Sequence, residues 1–263
     1  MPQGIVAISG AAMGIGAALA LEAVARGYSV AVFDRDARAL AHLRNKLGAS
    51  CCVSTVGDCC STEDVRSFAD QVGAQGRPLC FTFANAGILR VGGLQEQALT
   101  ELAQLLQVNV FGAICFAREL LPLMSRDQLP SKLVFTGSTS MFSSVAGFGG
   151  YSASKHALLA IAEAWDAELA ATGSNVSVAI LSPAAVQTNI ADGDDTKLVK
   201  LRQRMTERGI TATDMARLAF DQISAGRQVV FSDGQSQLRA KRRLDAMCGG
   251  QFLHRMESRP KGD

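Results

Sequence analysis

The stretch Gly4-Ile5-Val6-Ala7-Ile8-Ser9-Gly10-Ala11-Ala12-Met13-Gly14-Ile15-Gly16 lies near the start of the 263-residue sequence and decides the predicted fold. It begins with a short, largely β-branched apolar run, which is typical of a buried strand. A helical pattern follows the glycines and ends near Gly27, a predicted C-cap. Gly10 allows a tight turn, and Gly14 and Gly16 let a pyrophosphate approach the helix N-terminus. The stretch therefore predicts a dinucleotide-binding loop; the alternative is a tight turn without a ligand.

A second apolar run, residues 28–33, ends at Asp34. A carboxylate about 20 residues beyond such glycines can accept hydrogen bonds from both hydroxyls of the adenosine ribose. The same charge would repel a 2′-phosphate, so Asp34 favours NAD. Arg35 follows directly and could instead pair with a 2′-phosphate, which keeps NADPH open as the alternative.

Strand-like runs recur between helical patterns at residues 51–55, 79–84, 132–136, 176–181 and 228–231. Strands that alternate with helices indicate parallel βαβ units with right-handed crossovers. The predicted fold is therefore α/β, a Rossmann-like doubly wound sheet of seven mainly parallel strands with helices on both faces. Ligands in such sheets bind beyond the carboxyl ends of the strands. Several polar, glycine or proline residues fall there: Gly10, Asp34, Asp58, Asn85, Ser138 and Pro183.

The run Tyr151-Ser152-Ala153-Ser154-Lys155 suggests an acid/base pair, since residues four apart share one face of a helix. A free tyrosine has a pKa near 10, so a base at neutral pH needs a shift of roughly 3 units, about 4 kcal/mol. The nearby ammonium of Lys155 favours the phenolate and can supply part of that shift. Such pairs also occur by chance on solvated helices, so the pair gains weight from the other motifs.

Together these motifs resemble the short-chain dehydrogenase/reductase family in its single-domain form, over about residues 4–234. The resemblance implies catalytic roles for Asn109, Ser138, Tyr151 and Lys155. It implies that the cofactor is bound by Gly10, Gly14, Ile15, Gly16, Asp34, Arg35, Asp58, Asn85, Ala86, Gly87, Tyr151, Lys155, Pro183 and Thr188. By this resemblance Tyr151 takes the substrate proton, Lys155 stabilises the phenolate and holds the nicotinamide ribose, Ser138 orients the substrate oxygen, and Asn109 anchors a water that relays protons.

Residues 139–150, which join Ser138 to Tyr151 and are called the 139–150 loop below, must border the reacting carbon. The loop carries apolar side chains and no charge. Ser138, Met141, Phe148 and Tyr151 are therefore the predicted substrate contacts. The predicted substrate is a hydrophobic secondary alcohol or ketone, such as an alicyclic, aromatic or steroid-like compound. The alternative is that these side chains pack inward and the pocket is polar.

The predicted function is that of an NAD-dependent oxidoreductase interconverting a hydrophobic secondary alcohol and its ketone. Two alternatives are an NADPH-dependent ketoreductase and a cofactor-binding regulatory or scaffold protein without turnover. The complete set of Asn109, Ser138, Tyr151 and Lys155 argues against the last of these. The sequence fits one domain, 1–263, with a lid segment at about 187–211 and a C-terminal extension at about 235–263.

Composition excludes several other classes. Hydrophobic residues make up 48% of the sequence, and the formal charge of +2 gives no reason to predict nucleic-acid binding. No apolar run approaches about 20 residues, so no transmembrane segment is predicted. The start Met1-Pro2-Gln3 lacks the features of a signal peptide. Seven cysteines, an odd number without a secreted framework, favour a reducing, cytoplasmic location.

Two cysteine pairs, Cys51-Cys52 and Cys59-Cys60, raise the question of a metal site. Neither pair has C-x-x-C spacing, and adjacent residues on a strand point to opposite faces. We therefore predict no metal and interpret these cysteines as small buried apolar side chains.

Helical segments 99–124 and 151–171 are apolar around much of their circumference, which suggests a second buried face on each. The family resemblance implies that these two helices form the subunit interface. A homodimer or homotetramer is therefore expected, with Trp165 near the contact. The alternative is that both helices are buried within one subunit.

Overall fold

The structure is a computed structural model and describes residues 4–191 and 196–250. Residues 192–195 of the predicted lid segment and 251–263 of the predicted C-terminal extension lie outside the described residues. Within the described part the strands are β1 (Ile5–Ser9), β2 (Ser29–Asp34), β3 (Cys51–Val56), β4 (Leu79–Ala84), β5 (Ser131–Thr136), β6 (Val176–Ser182), β7 (Val186–Gln187), β8 (Ile210–Thr211) and β9 (Val229–Phe231).

The main sheet of the described residues has seven parallel strands in the order β3-β2-β1-β4-β5-β6-β9. This confirms the predicted Rossmann-like doubly wound sheet. The strand order reverses between β1 and β4, which opens a crevice at the carboxyl ends of these two strands. The short strands β7 and β8, which no sequence pattern predicted, pair in parallel as a separate ribbon.

Helices cover both faces of the sheet. In the described ranges they are α1 (Gly14–Ala25), α2 (Ala37–Leu47), α3 (Thr62–Gly73), α4 (Leu99–Leu106), α5 (Ala113–Arg126), α6 (Gly149–Ala171), α7 (Thr196–Arg208), α8 (Ala212–Ser224) and α9 (Gly234–Cys248). A π-helical turn, Gln107–Gly112, joins α4 to α5.

Two apolar cores fix the layers. One core packs α1, α2 and α8 on the first face, and the other packs α3, α5 and α6 on the second. In the second core the rings of Phe33, Phe68 and Phe116 lie with centroids 5.3 to 5.9 Å apart. Every residue of β1 is buried, because a parallel strand covered on both faces needs a continuous apolar run rather than an alternating one.

The helical stretch Leu99–Arg126 bears on the predicted absence of a membrane span. It has 28 residues, and an 18-residue part of it with a mean hydropathy of 1.4 meets the length and composition of a membrane-crossing helix. This is weak evidence, since core helices of soluble proteins meet the same criteria. Only 33% of its most apolar part is buried in the described chain, so much apolar surface remains for another contact.

Candidate active site

The glycine loop lies at the carboxyl end of β1 and packs against the Asn85-Ala86-Gly87 segment after β4. Gly10 has a φ of 61° and Gly14 a φ of 55°, in the left-handed region that glycine adopts without strain. A Cβ on Gly10 would lie 2.7 Å from the Cα of Ala86, and a Cβ on Gly16 would overlap the carbonyl oxygen of Gly10. The loop conformation therefore requires glycine at positions 10 and 16.

The N-terminus of α1 is open to an anion. Helices α2 and α3 begin with side-chain caps, whereas the N-cap of α1, Met13, makes no side-chain capping hydrogen bond. The first turn, with Gly14, Ile15 and Gly16, also lacks an acidic residue. Uncapped N–H groups at the positive end of a helix fit the pyrophosphate of a dinucleotide. Thr188 lies beside this turn, since a Cβ on Gly14 would lie 3.1 Å from its Cγ2 atom.

The side chain of Asn85 joins three strand ends. Its Nδ2 donates to the carbonyl oxygens of Ser9 (3.2 Å) and Gly10 (3.1 Å), and its Oδ1 accepts from Thr136 Oγ1 (3.0 Å). The backbone N–H groups of Asn85 and Ala86 donate to Ser9 Oγ at 3.0 and 3.2 Å. The ends of β1, β4 and β5 are therefore held together at the crevice.

Asp34 and Asp58 lie at the carboxyl ends of β2 and β3. Asp34 is partly buried, and its carboxylate accepts from Ala12 N at 2.8 Å and from Asp36 N at 3.0 Å. It therefore also anchors the glycine loop, a second role that the sequence did not suggest. Asp58 is exposed and accepts from Cys60 N at 2.9 Å.

The four residues predicted to be catalytic are all buried. Lys155 Nζ donates to the carbonyl oxygen of Thr136 at 2.8 Å and lies 5.8 Å from the centre of the Tyr151 ring. The Ser138 hydroxyl lies close enough to the Tyr151 phenol to lower its pKa. A Cβ on Gly87 would lie 3.2 Å from Asn109 Oδ1 and 3.6 Å from Lys155 Nζ. The structure thus brings the N-A-G segment, Asn109, Ser138, Tyr151 and Lys155 together.

Burial dominates the electrostatics of the pair. It raises the pKa of Tyr151, although the hydrogen bond from Ser138 partly opposes this. It lowers the pKa of Lys155 from 10.5 to about 8. Both pKa changes disfavour the charged form of the group. For Lys155, the hydrogen-bond partner of the ammonium is the backbone carbonyl of Thr136 rather than a carboxylate. In the chain by itself the pKa of Tyr151 is thus raised, and the stabilisation of its phenolate by Lys155 stays a prediction.

Asn109 lies in the π-helical turn, and protein groups occupy its side chain. Its Oδ1 accepts from Ile88 N at 2.7 Å, while its Nδ2 donates to Ile88 O and to Ser154 Oγ, both at 3.0 Å. Ser154 donates in turn to the carbonyl oxygen of Tyr151 at 2.7 Å. The side chain of Asn109 therefore fastens the segment after Gly87 to α6, and neither of its amide protons is left for the predicted water.

Sequence reasoning missed Thr136 and Ser154. Thr136 immediately precedes Gly137-Ser138 and uses its hydroxyl for Asn85 and its carbonyl for Lys155. Ser154 precedes Lys155 and lies three residues after Tyr151, the spacing at which a helical serine bonds back to a carbonyl. That spacing was visible in the sequence, but the carbonyl of Thr136 carries no residue-type signal.

Tyr151 belongs to an apolar cluster. Its buried members are Leu89, Leu105, Tyr151, Ala191 and Met205. The partly buried side chains that pack against it include Val91 after the N-A-G segment, Phe148 of the 139–150 loop, and Leu198 and Leu201 of α7. The structure therefore places Phe148 near Tyr151 and brings α7, within the predicted lid, over the site.

Met141, a predicted substrate contact, is buried in the apolar core that packs α3, α5 and α6. Its side chain is only 1% exposed and belongs to the core beneath the sheet. A Cβ on Gly137 would lie 2.7 Å from its Sδ atom. Met141 ends the 3₁₀ turn Thr139–Met141, and its contact with a substrate stays a prediction. Pro183 is also buried, and its carbonyl oxygen accepts from Thr139 N at 3.0 Å, which holds the start of the loop.

One group of residues has the side chains and the spacing that a metal ion could use: Asp58, Cys59 and Cys60. One ligand atom from each lies within 4.8 Å of the others in the described part of the chain. Burial raises the pKa of both thiols, which disfavours the thiolate that a metal requires. The absence of a metal stays a prediction.

Comparison with known proteins identifies the family. A family model for short chain dehydrogenase matches residues 4–198. The chain is 31% identical over 242 residues to 1-deoxy-11-beta-hydroxypentalenate dehydrogenase from Streptomyces exfoliatus, covering 90% of this chain and 86% of that protein. It is 27% identical over 193 residues to 11-beta-hydroxysteroid dehydrogenase 1A from Arabidopsis thaliana, covering 72% of this chain and 54% of that protein.

A solved structure agrees. The crystal structure of a short chain dehydrogenase/reductase from Burkholderia phymatum in complex with NAD matches with a TM-score of 0.90 at 25% identity, covering 100% of this chain and 99% of that chain. The chain therefore belongs to the short-chain dehydrogenase/reductase family and is an oxidoreductase with a Rossmann-like fold.

The buried ammonium predicts a pH-dependent stability. Because the folded pKa of Lys155, about 8, lies below its ordinary value of 10.5, the unfolded chain binds more protons between these pH values. Raising the pH through this window should stabilise the native protein relative to Lys155→Met by roughly 3 kcal/mol. Urea unfolding of both proteins at either end of the window measures this. Lys132→Met, on β5, is the control; an equal Lys155→Met difference at both pH values would contradict the burial.

Proposed function

We propose that the protein is an NAD-dependent dehydrogenase that interconverts a hydrophobic secondary alcohol and its ketone, with Tyr151 as the acid/base. One observation carries the proposal: Tyr151, Ser138 and Lys155 are all buried, and Tyr151 belongs to an apolar cluster. A bound nicotinamide would accept or supply the hydride. The protein groups then have to hold the alcohol, move its proton and exclude water.

Each group has a distinct role in this proposal. In oxidation Tyr151 takes the hydroxyl proton of the substrate, and in reduction its phenol returns a proton to the ketone oxygen. Ser138 donates a hydrogen bond to the substrate oxygen. Lys155 stabilises the phenolate with its charge and donates to the ribose of the cofactor. Asn109 holds the wall of the site through Ile88 and Ser154.

Tyr151→Phe tests the acid/base. The ring and its packing remain, and only the transferable proton is lost, so kcat should fall by roughly 10²-fold or more while NADH binding is kept. The sequence has only one other tyrosine, Tyr28, which packs edge-on against Phe81 in the opposite core. Tyr28→Phe is the matched control and should keep full turnover. A Tyr151→Phe variant within a few-fold of the native rate would rule out this mechanism.

The cofactor preference follows from the rim of the crevice. The Asp34 carboxylate lies at the end of β2 and faces the loop that would hold the pyrophosphate. Met13, in that loop, is 48% exposed and offers no positive charge to a 2′-phosphate. Arg35 is exposed and keeps NADPH as the alternative. The NAD bound by the Burkholderia phymatum protein supports the choice of NAD.

Direct titration tests this preference. The native protein should bind NADH at least about tenfold more tightly than NADPH, about 1.4 kcal/mol. Asp34→Asn keeps an acceptor for Ala12 N but removes the charge, so it should narrow the gap. Asp36→Asn, which changes the neighbouring N-cap of α2, is the control and should leave the gap unchanged. Equal or tighter binding of NADPH by the native protein would show that Arg35 outweighs Asp34.

The substrate class rests on the apolar cluster around Tyr151. The cluster draws its apolar side chains from several separate segments, including α4, the 139–150 loop and α7. The names of two relatives, dehydrogenases of a hydroxypentalenate and of a hydroxysteroid, support a cyclic hydroxyl substrate. Catalytic efficiency should therefore rise along a series of secondary alcohols from isopropanol to polycyclic ones, because each buried Å² contributes about 25 cal/mol. A preference for sugars or small hydroxy acids would contradict this. Binding of NADH without oxidation of any alcohol would favour a regulatory protein.

We further propose that the stretch Leu99–Arg126 pairs with a second subunit, together with α6. Leu99 is 81%, Leu106 39% and Phe111 57% exposed, although all three are large and apolar. Exposed apolar side chains on one helical stretch indicate a protein contact. Trp165, on α6, packs against Phe135 and is only partly buried.

Light scattering tests the assembly. The native protein should be a dimer or tetramer at micromolar concentration, and Phe111→Asp should shift it towards the monomer because a charge replaces apolar surface. Leu129→Asp is the control, since Leu129 is 51% exposed and lies outside the Leu99–Arg126 stretch. A native monomer, or equal effects of both changes, would place the interface elsewhere.

A further inference from the structure

Helix α9 lies beyond the matched residues 4–198 and contacts the active site from outside. It follows β9, whose last residue, Phe231, stacks on Phe142 of the 139–150 loop at a centroid distance of 5.4 Å. One turn and a half into the helix, Arg239 Nε donates to Ser143 Oγ at 2.9 Å. Two consecutive residues of the loop are therefore held by the C-terminal part of the chain.

A second arginine anchors α9 to the catalytic helix. Arg243 lies one turn after Arg239 and contacts His156 Nε2, next to Lys155. Because an arginine can only donate, His156 Nε2 must accept and Nδ1 must carry the proton, which it donates to Ser152 O at 2.7 Å. Arg239 and Arg243 thus share the inward face of α9, whereas Lys241 and Arg242 are exposed.

The start of α9 is firmly fixed as well. Asp233 caps the helix by accepting from Ser236 N at 2.7 Å, and Ser232 Oγ donates to the same carboxylate at 3.0 Å. Ser232 Oγ also accepts from Ala184 N at 3.0 Å, directly after Pro183. The start of the helix is therefore tied, through Ser232, to the segment after β6.

The loop itself needs such a support. Beyond the 3₁₀ turn Thr139–Met141 it has no helix or strand until α6 begins at Gly149, and Val145 is 51% exposed. Phe148, at its end, packs in the cluster around Tyr151. A wall that moves by about 1 Å loses much of its discrimination between substrates.

We propose that Arg239 is a positioning residue that sets substrate selectivity by holding Ser143 and, through it, the 139–150 loop. The inference rests on the proposed alcohol oxidation for its kinetic test. Arg243 fixes the position of α9 against α6, so that the Arg239 side chain reaches Ser143 of the loop. Arg239 does not touch the reacting atoms, so its loss should change which alcohols are used more than how fast a small alcohol reacts.

The test compares Arg239→Ala and Ser143→Ala, alone and combined, with Lys241→Ala as the control on the exposed face. The measured quantity is the ratio of kcat/KM for a polycyclic alcohol to that for a small secondary alcohol. The ratio should fall about tenfold in either single variant and no further in the double variant, because one charged hydrogen bond is lost once. Arg239→Lys should recover part of it. NADH affinity and the Lys241→Ala ratio should stay unchanged.

Amide hydrogen exchange of residues 140–148 provides a readout that does not require turnover. Exchange should be faster in Arg239→Ala and Ser143→Ala than in the native protein and in Lys241→Ala. Unchanged exchange, or an unchanged selectivity ratio in an active enzyme, would overturn the proposal, as would equal effects of Lys241→Ala. If the native protein oxidises no alcohol, the proposed function fails, and the exchange result still decides whether Arg239 holds the loop.

Discussion

The side-chain amide of Asn85 holds the carboxyl ends of three neighbouring strands together, and the candidate site depends on this link. It bonds to the backbone of the glycine loop on one side and to Thr136 on the other. Thr136 then offers its carbonyl to Lys155. A series of contacts therefore runs from the loop that would hold the pyrophosphate, through Asn85 and Thr136, to the ammonium of Lys155. A shift of the glycine loop would therefore change the position of the carbonyl that binds Lys155.

Burial also sets the pKa values of the two groups at the end of this link, Lys155 and Tyr151. The ammonium of Lys155 has a carbonyl rather than a carboxylate as its partner, so its charge is only weakly stabilised and its pKa falls to about 8. A carboxylate would hold the proton more firmly and would compete with a phenolate for the same charge. The phenol of Tyr151, whose pKa is raised by burial, stays protonated in the chain by itself. Burial therefore favours the neutral form of both groups in the chain by itself.

Much of this arrangement could be predicted from residue types and spacing. Local residue types were enough to predict four features: the glycine loop, Asp34, the N-A-G segment and the Tyr151–Lys155 pair. Other features depend on contacts that no local pattern encodes. The carbonyl of Thr136 is common to every residue type, and the inward turn of Met141 follows from a 3₁₀ turn packed over Gly137. The contact between Arg239 and Ser143 joins residues 96 positions apart.

The central claim is hydride transfer between an apolar secondary alcohol and NAD in this buried site. The most direct measurement supplies the protein with NAD and a polycyclic secondary alcohol that carries deuterium on its carbinol carbon. Mass spectrometry and proton NMR then show where the isotope goes. The account predicts that deuterium appears on C4 of the nicotinamide, on one face only, as the ketone forms. Formation of ketone with unlabelled NADH, or no transfer from any apolar alcohol, would contradict it.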